Sequence, residues 1–155
     1  MTIDVAVVGG RFGADFLAVY QSHPDVGGVA LCDADPRTLH EVGERCQVDD
    51  RFESIDALLA SDSYDAVHVA TPVRFHVDHA VAVLESGRHC ACAVPMATSV
   101  EGVHRVLQAQ RDSGRTYMMM ETMVFGREFF LVRDLCERGE LGQLTFLRGA
   151  HIQNI

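Results

Sequence analysis

Three stretches of the chain carry residue types that suit a phosphorylated, nucleotide-like ligand. The first is Gly9-Gly10-Arg11-Phe12-Gly13-Ala14, which follows the apolar run Ile3 to Val8. Glycines let a backbone turn sharply and approach a pyrophosphate, which then rests on the N-terminus of the next helix. In the GxGxxA spacing of dinucleotide turns, Gly9 and Ala14 take the first and last positions, and Arg11 stands at the middle glycine. A Cβ there crowds the phosphate, while a guanidinium could bond it, so Arg11 is expected to lie along the pyrophosphate. A tight turn that needs glycine only for its backbone fits the same residues. The second stretch is Asp33, 24 residues after Gly9. A carboxylate at that point accepts hydrogen bonds from ribose hydroxyls and repels a 2′-phosphate, which favours NAD over NADP. A solvated loop acid is the alternative. Asp35, just before Pro36, reads instead as a helix N-cap. The third stretch is Ala70-Thr71-Pro72, followed by His76 and His79. The two histidines have a spacing that a metal could use, but no acidic or cysteine partner accompanies them, so no metal site is expected. His76 is expected to line the site and His79 to lie on the surface.

These residues need a scaffold, and the apolar pattern supplies one. Ile3 to Val8, Val29 to Cys32, Ala66 to Ala70, His89 to Val94, Thr116 to Met120 and Leu144 to Leu147 read as strands. Helical spacing joins Phe12, Phe16, Val19 and Tyr20, and His23-Pro24 ends that helix. Further helices are expected from Pro36, over Ile55 to Leu59, from Val77 to a stop at Gly87, and after Ser99, where Thr98 to Glu101 has capping-box form. Phe129, Val132 and Cys136 mark a last helix. Strands alternating with helices, and strands nearly all apolar rather than alternating, predict an α/β fold: a Rossmann-like, doubly wound parallel sheet covered on both faces. Ligands of such sheets bind beyond the carboxyl ends of the strands, where all three stretches fall.

Composition excludes several function classes. The 155 residues are 48% hydrophobic, enough for a core and against wholesale disorder. Thirteen basic residues, all arginine, oppose 22 acidic ones for a net charge of −9, which disfavours nucleic acid and anionic membrane as partners. No apolar run is long enough to span a bilayer, and Met1 to Val8 lack a signal-peptide pattern, so a cytoplasmic location is expected. The five cysteines are then expected as reduced thiols, packed as small apolar groups. Cys90 and Cys92 share a strand face, and their spacing is not that of a redox or zinc pair.

Taken together, the glycine turn with FGADF, LCDADP, ATPVRFHVDHA, VPMATSVEG, YMMMET and GELGQLTFLRGAH resemble the amino-terminal part of the Gfo/Idh/MocA oxidoreductases, the glucose–fructose oxidoreductase and inositol dehydrogenase group. The resemblance implies a Rossmann domain over residues 1–120 and, over 121–155, the start of a C-terminal α/β substrate domain. It implies NAD, with NADP less favoured, as cofactor and a sugar, inositol or related polyol as substrate. It also implies a homo-oligomer at full length. The cofactor set is then Gly9, Gly10, Arg11, Phe12, Gly13, Asp33, Thr71, Pro72, His76 and Pro95, with Glu121 and His76 as candidate catalytic groups. Many members of that family carry Glu-Lys-Pro where this chain has Ala93-Val94-Pro95, so the usual active-site lysine is replaced by Val94. The chain is similar to a Val-Pro-Met-Ala subgroup at this place. Because the family's later acid–base residues would follow Ile155, the chain alone is expected to bind cofactor without turning over substrate. A non-catalytic nucleotide-binding or scaffold module is the alternative, and a methyltransferase a more distant one.

Overall fold

The computed structural model describes residues 2–150. Its strands are β1 (Ile3–Val8), β2 (Val26–Cys32), β3 (Asp50–Phe52), β4 (Ala66–Val69), β5 (His89–Ala93) and β6 (Tyr117–Met120). Its helices are α1 (Gly10–Ser22), α2 (Pro36–Cys46), α3 (Ile55–Ala60), α4 (His76–Glu85), α5 (Val100–Ser113) and α6 (Arg127–Glu137). The strands form one sheet in the order β3-β2-β1-β4-β5-β6, with every pairing parallel. Chain order reverses direction between β1 and β4, and the crevice of a doubly wound sheet opens at such a switch point.

Successive side chains of a strand point to opposite faces, so each buried strand feeds two cores. On one face Val7 and Leu31 pack with Leu17 of α1 and with Leu39 and Val42 of α2. On the other, Val8, Val67, Val69, Cys90 and Cys92 meet Val83 and Leu84 of α4 and Val106 of α5. Fully burying each such Val or Leu contributes about 1.5–3 kcal/mol, which explains the absence of polar alternation in the strands.

Three local expectations change. The strand β3 is missing from the sequence pattern because it is three residues long and begins with Asp50 and Arg51. An edge strand has only one neighbour, here β2 through Ala30, Leu31 and Cys32, and tolerates such charges. The predicted strand over Leu144 to Leu147 does not form. These residues are exposed and pair with no strand among the described residues, and an extended segment without a ladder partner gains nothing from strand geometry. The capping box from Thr98 to Glu101 does not form: Ser99 is the N-cap and accepts from the Gly102 amide at 3.1 Å, and Gly102 has no side chain to return the bond. By contrast, Asp35 caps α2 as its place before Pro36 indicates, bonded to the Arg37 amide at 3.1 Å and the Thr38 hydroxyl at 2.9 Å. Those bonds, Thr38 first, hold its carboxyl below the usual carboxylate range.

The cysteines are free thiols. Burial pushes Cys32 up to about 12 and Cys92 up to about 11, so neither is a thiolate at neutral pH. Cys46 is half-buried and packs against the core of Leu17 and Val42, whereas Cys136 is exposed, so the expected packing fails for Cys136 alone.

The chain divides into two compact units, with the boundary between Met120 and Glu121. The second opens on a 3-10 turn, Thr122–Phe125, followed by α6. No described helix is long and apolar enough to cross a membrane.

Candidate functional site

The first strand ends in a turn that only glycine can make. Gly9 has φ +102°, and a Cβ placed there would stand 2.6 Å from the Ala70 carbonyl oxygen. Its amide donates to the Cys32 carbonyl at 2.8 Å, which ties the ends of β1 and β2 together. The helix then starts at once, at Gly10. A Cβ on Gly13 would lie 2.5 Å from a methyl of Val7, so Gly13 is the glycine that permits close helix–strand packing.

Arg11 lines the cleft beside Gly9 and Phe12, whereas a Cβ on Gly10 would meet the Thr38 methyl at 3.0 Å and Asp33 Oδ2 at 3.3 Å. Arg11 sits on the first turn of α1 with its side chain 85% exposed and its guanidinium 3.7 Å from Asp35. Nothing in its position crowds the turn.

Asp33 follows β2 and faces this helix start. Its Oδ2 accepts from the Gly10 amide at 2.6 Å, and its Oδ1 from the Asp35 amide at 2.8 Å. Each oxygen thereby keeps a lone pair for a ligand hydroxyl. The first turn of α1 has no acidic side chain. First-turn amides have no partner inside a helix; Asp33 takes that of Gly10, and those of Arg11 and Phe12 suit a further anion.

A cleft of about 490 Å³ joins these groups to the loops after β4 and β5, with Gly9, Arg11, Phe12, Asp33, Thr71, Pro72 and His76 on its walls. Ala70, Val73, Ala93 and Val94 complete the lining, and sequence spacing pointed to none of the last three as contact residues. A second recess of about 340 Å³ shares Gly9, Asp33, Thr71 and Pro72 and is closed by Ile55, Phe75 and His79. The signal for it lay in the short β3, whose end delivers Glu53 and Ser54 to its rim. His79 is therefore a lining residue, not a surface one. Burial lowers its pKa, and its Nδ1 lies 3.2 Å from the Thr71 hydroxyl.

Of the two candidate catalytic groups, His76 is 1% exposed. Its Nδ1 lies 2.7 Å from the Pro95 carbonyl and its Nε2 2.8 Å from the Thr71 carbonyl. Each nitrogen thus faces a backbone carbonyl, and a neutral ring donates to one of the two. Pro95 itself follows a cis peptide bond from Val94. Glu121 caps the 3-10 turn of the second unit, accepting from the Met123 amide at 3.0 Å. His151 lies outside the described residues. No group of three or more potential metal-ligating side chains occurs among the described residues.

Comparison with known proteins follows this architecture. Residues 3–121 match the family described as the Gfo/Idh/MocA oxidoreductase family, NAD-binding Rossmann fold. A glycosyl hydrolase family 109 protein of Shewanella pealeana is 26% identical over 164 residues, covering 99% of this chain and 36% of its own length. The WlbA dehydrogenase from Bordetella pertussis, solved with NADH and UDP-GlcNAcA, aligns at a TM-score of 0.83 and 27% identity over 92% of this chain and 44% of its own. The scyllo-inositol dehydrogenase from Lactobacillus casei, solved with NAD(H) and scyllo-inositol, shares the fold at a TM-score of 0.85 and 21% identity, over 94% of this chain and 44% of its own. The chain thus spans less than half the length of each of these three proteins.

Proposed function

The chain belongs to the Gfo/Idh/MocA oxidoreductase family, and from that premise we propose that residues 1–120 are the NAD-binding domain of an oxidoreductase acting on a sugar, inositol or related polyol. Residues 121–155 begin its substrate domain. The observation that carries this reading is the cleft in which Asp33 stands beside the anion-suited end of α1. The Arg11 and Phe12 amides of the first turn of α1 receive the pyrophosphate, the Gly10 amide being held by Asp33, with the Arg11 side chain at the rim. Asp33 takes the adenosine ribose through its remaining lone pairs, and the recess closed by Ile55 and Phe75 takes the adenine. The other half of the dinucleotide then runs toward Thr71, Pro72 and Val94. Bound NAD supplies the redox chemistry, and the protein orients it. Val94, at the end of β5, has no titratable group, so acid–base work on the substrate falls to the substrate domain. The 155-residue chain is accordingly expected to bind NAD and to turn over no polyol by itself.

Calorimetric titration with NAD, NADP and S-adenosylmethionine tests the assignment. Binding of NAD, tighter than of NADP, is the expected result; binding of S-adenosylmethionine alone would replace the oxidoreductase with a methyltransferase. Net glycoside hydrolysis is the second function with specific support, since the Shewanella pealeana relative that aligns over 99% of this chain carries a glycosyl hydrolase name. With the full-length protein it predicts sugar release without accumulation of NADH, whereas the polyol dehydrogenase accumulates NADH. A protein that binds NAD but does neither is the non-catalytic module.

A further inference from the structure

The smaller recess has four oxygen-bearing side chains on its walls: Asp33, Glu53, Ser54 and Thr71. Three of them are engaged by the protein. Asp33 accepts the Gly10 and Asp35 amides, Ser54 accepts the Ala57 amide at 3.1 Å, and the Thr71 hydroxyl lies 3.2 Å from Nδ1 of His79. The Glu53 carboxylate has no hydrogen-bond or ion-pair partner among the described residues. Its backbone is nevertheless fixed from both sides. Phe52, just before it, pairs with Cys32 in the sheet, and its carbonyl accepts from the Asp33 amide at 3.1 Å. Ser54, just after it, is the N-cap of α3. Glu53 is thereby held at the level of Asp33, one strand further out. The other walls are apolar, with Val8, Ile55, Pro72 and Phe75, and the Phe75 ring lies within 12° of parallel to that of His79 at 5.5 Å between centroids. Apolar walls with one unengaged acceptor at the rim suit a flat, uncharged ring that carries a hydrogen-bond donor.

We propose that Glu53 is a specificity-determining residue of the cofactor site, its carboxylate accepting a hydrogen bond from the 6-amino group of the adenine ring. This rests on the NAD-binding reading above. The amino group is the one strong donor on the adenine ring, whose ring nitrogens face outward as acceptors and are repelled by a carboxylate. Asp33 does not compete for it, because its oxygens are taken by two amides and by the ribose. Ser54 and Thr71 already share their hydroxyls with protein groups. Glu53 therefore reads the base, while Asp33 reads the sugar.

Calorimetric titration with NAD and with nicotinamide purine dinucleotide, which is NAD without its 6-amino group, tests this in the parent protein, E53A and E53Q. The parent is expected to prefer NAD about tenfold, the lower end for a bond to a charged acceptor because Glu53 is exposed. E53A is expected to bring the two ligands within about twofold of each other. E53Q, whose amide oxygen still accepts, is expected to keep a preference of about threefold. The charge of Glu53 acts alike on the phosphates of both ligands, so the ratio of affinities, not either affinity alone, carries the result. A parent without preference, or a preference that survives in E53A, overturns the proposal. The unfolding midpoint of E53A is expected to match that of the parent; a lowered midpoint would give the carboxylate a partner within the fold and overturn the proposal as well. A parent that binds neither dinucleotide defeats the NAD-binding reading itself, whereas a parent that binds both equally defeats only the role given to Glu53.

Discussion

Replacing Asp33 with alanine perturbs two things at once, and the structure separates them. The carboxylate accepts backbone amides at 2.6 and 2.8 Å, from Gly10 and Asp35. Bonds to a charged acceptor contribute roughly 1.5–3 kcal/mol each when nothing replaces them. Both are only partly buried, so water takes over some of that loss, and D33A is expected to lower stability by about 1–3 kcal/mol. Removing a negative charge from the N-terminus of α1 adds a few tenths to about 1 kcal/mol. Cofactor binding falls separately. Losing the ribose acceptor is expected to weaken NAD by about 10- to 100-fold. NADP is expected to weaken less, because the carboxylate that repelled its 2′-phosphate is also gone. D33N keeps one acceptor for an amide and loses the charge, so it should recover more stability than NAD affinity. Calorimetry with both cofactors, paired with denaturant unfolding, provides the two readings. Undiminished NAD binding by a D33A protein that has lost stability would confine Asp33 to capping α1 and refute its place in the cofactor site.

Gly13→Ala puts a Cβ 2.5 Å from a Val7 methyl and is expected to cost about 1–3 kcal/mol in denaturant unfolding, without a specific effect on NADP relative to NAD. Arg11→Ala should leave stability within about 0.5 kcal/mol, because its ion pair with Asp35 is long and exposed, while weakening NAD severalfold at low salt and less at high salt. His68 is buried on β4, with Nδ1 3.1 Å from the Tyr20 hydroxyl, and burial lowers its pKa to about 4. The unfolded chain binds a proton below about pH 6.5 and the native one only below about 4, so stability should fall as pH drops between these values, by on the order of 3 kcal/mol. Unfolding curves across that range should show this slope, and His68→Leu should reduce it; an unchanged slope would place its origin elsewhere.

Much of this protein is legible in its residue order. Val5 to Val8 is apolar on both faces, and Ala66 to Val69 is apolar apart from His68; burial between two layers of helices accommodates that. Pro36 after Asp35 and Pro24 after His23 fix a helix start and a helix end, because proline acts on its own and its neighbour's backbone. Motif spacing placed the glycine turn, Asp33 and Thr71-Pro72 at the carboxyl ends of strands for the same local reasons. Other features depend on groups far apart in the chain. That Gly9 and Gly13 must lack a Cβ depends on how closely Ala70 and Val7 approach them in the fold. The strand β3 exists because β2 offers it a ladder, and Leu144 to Leu147 stay out of strand geometry because no described strand does the same. His76 shows the division most plainly: its type and spacing suggested a ligand or an acid–base group, but the two carbonyls that its nitrogens face come from loops 5 and 19 residues away in sequence. Local propensity and periodicity follow from neighbouring residues, whereas the partner of a buried polar atom is chosen by folding, which must satisfy every such atom at once.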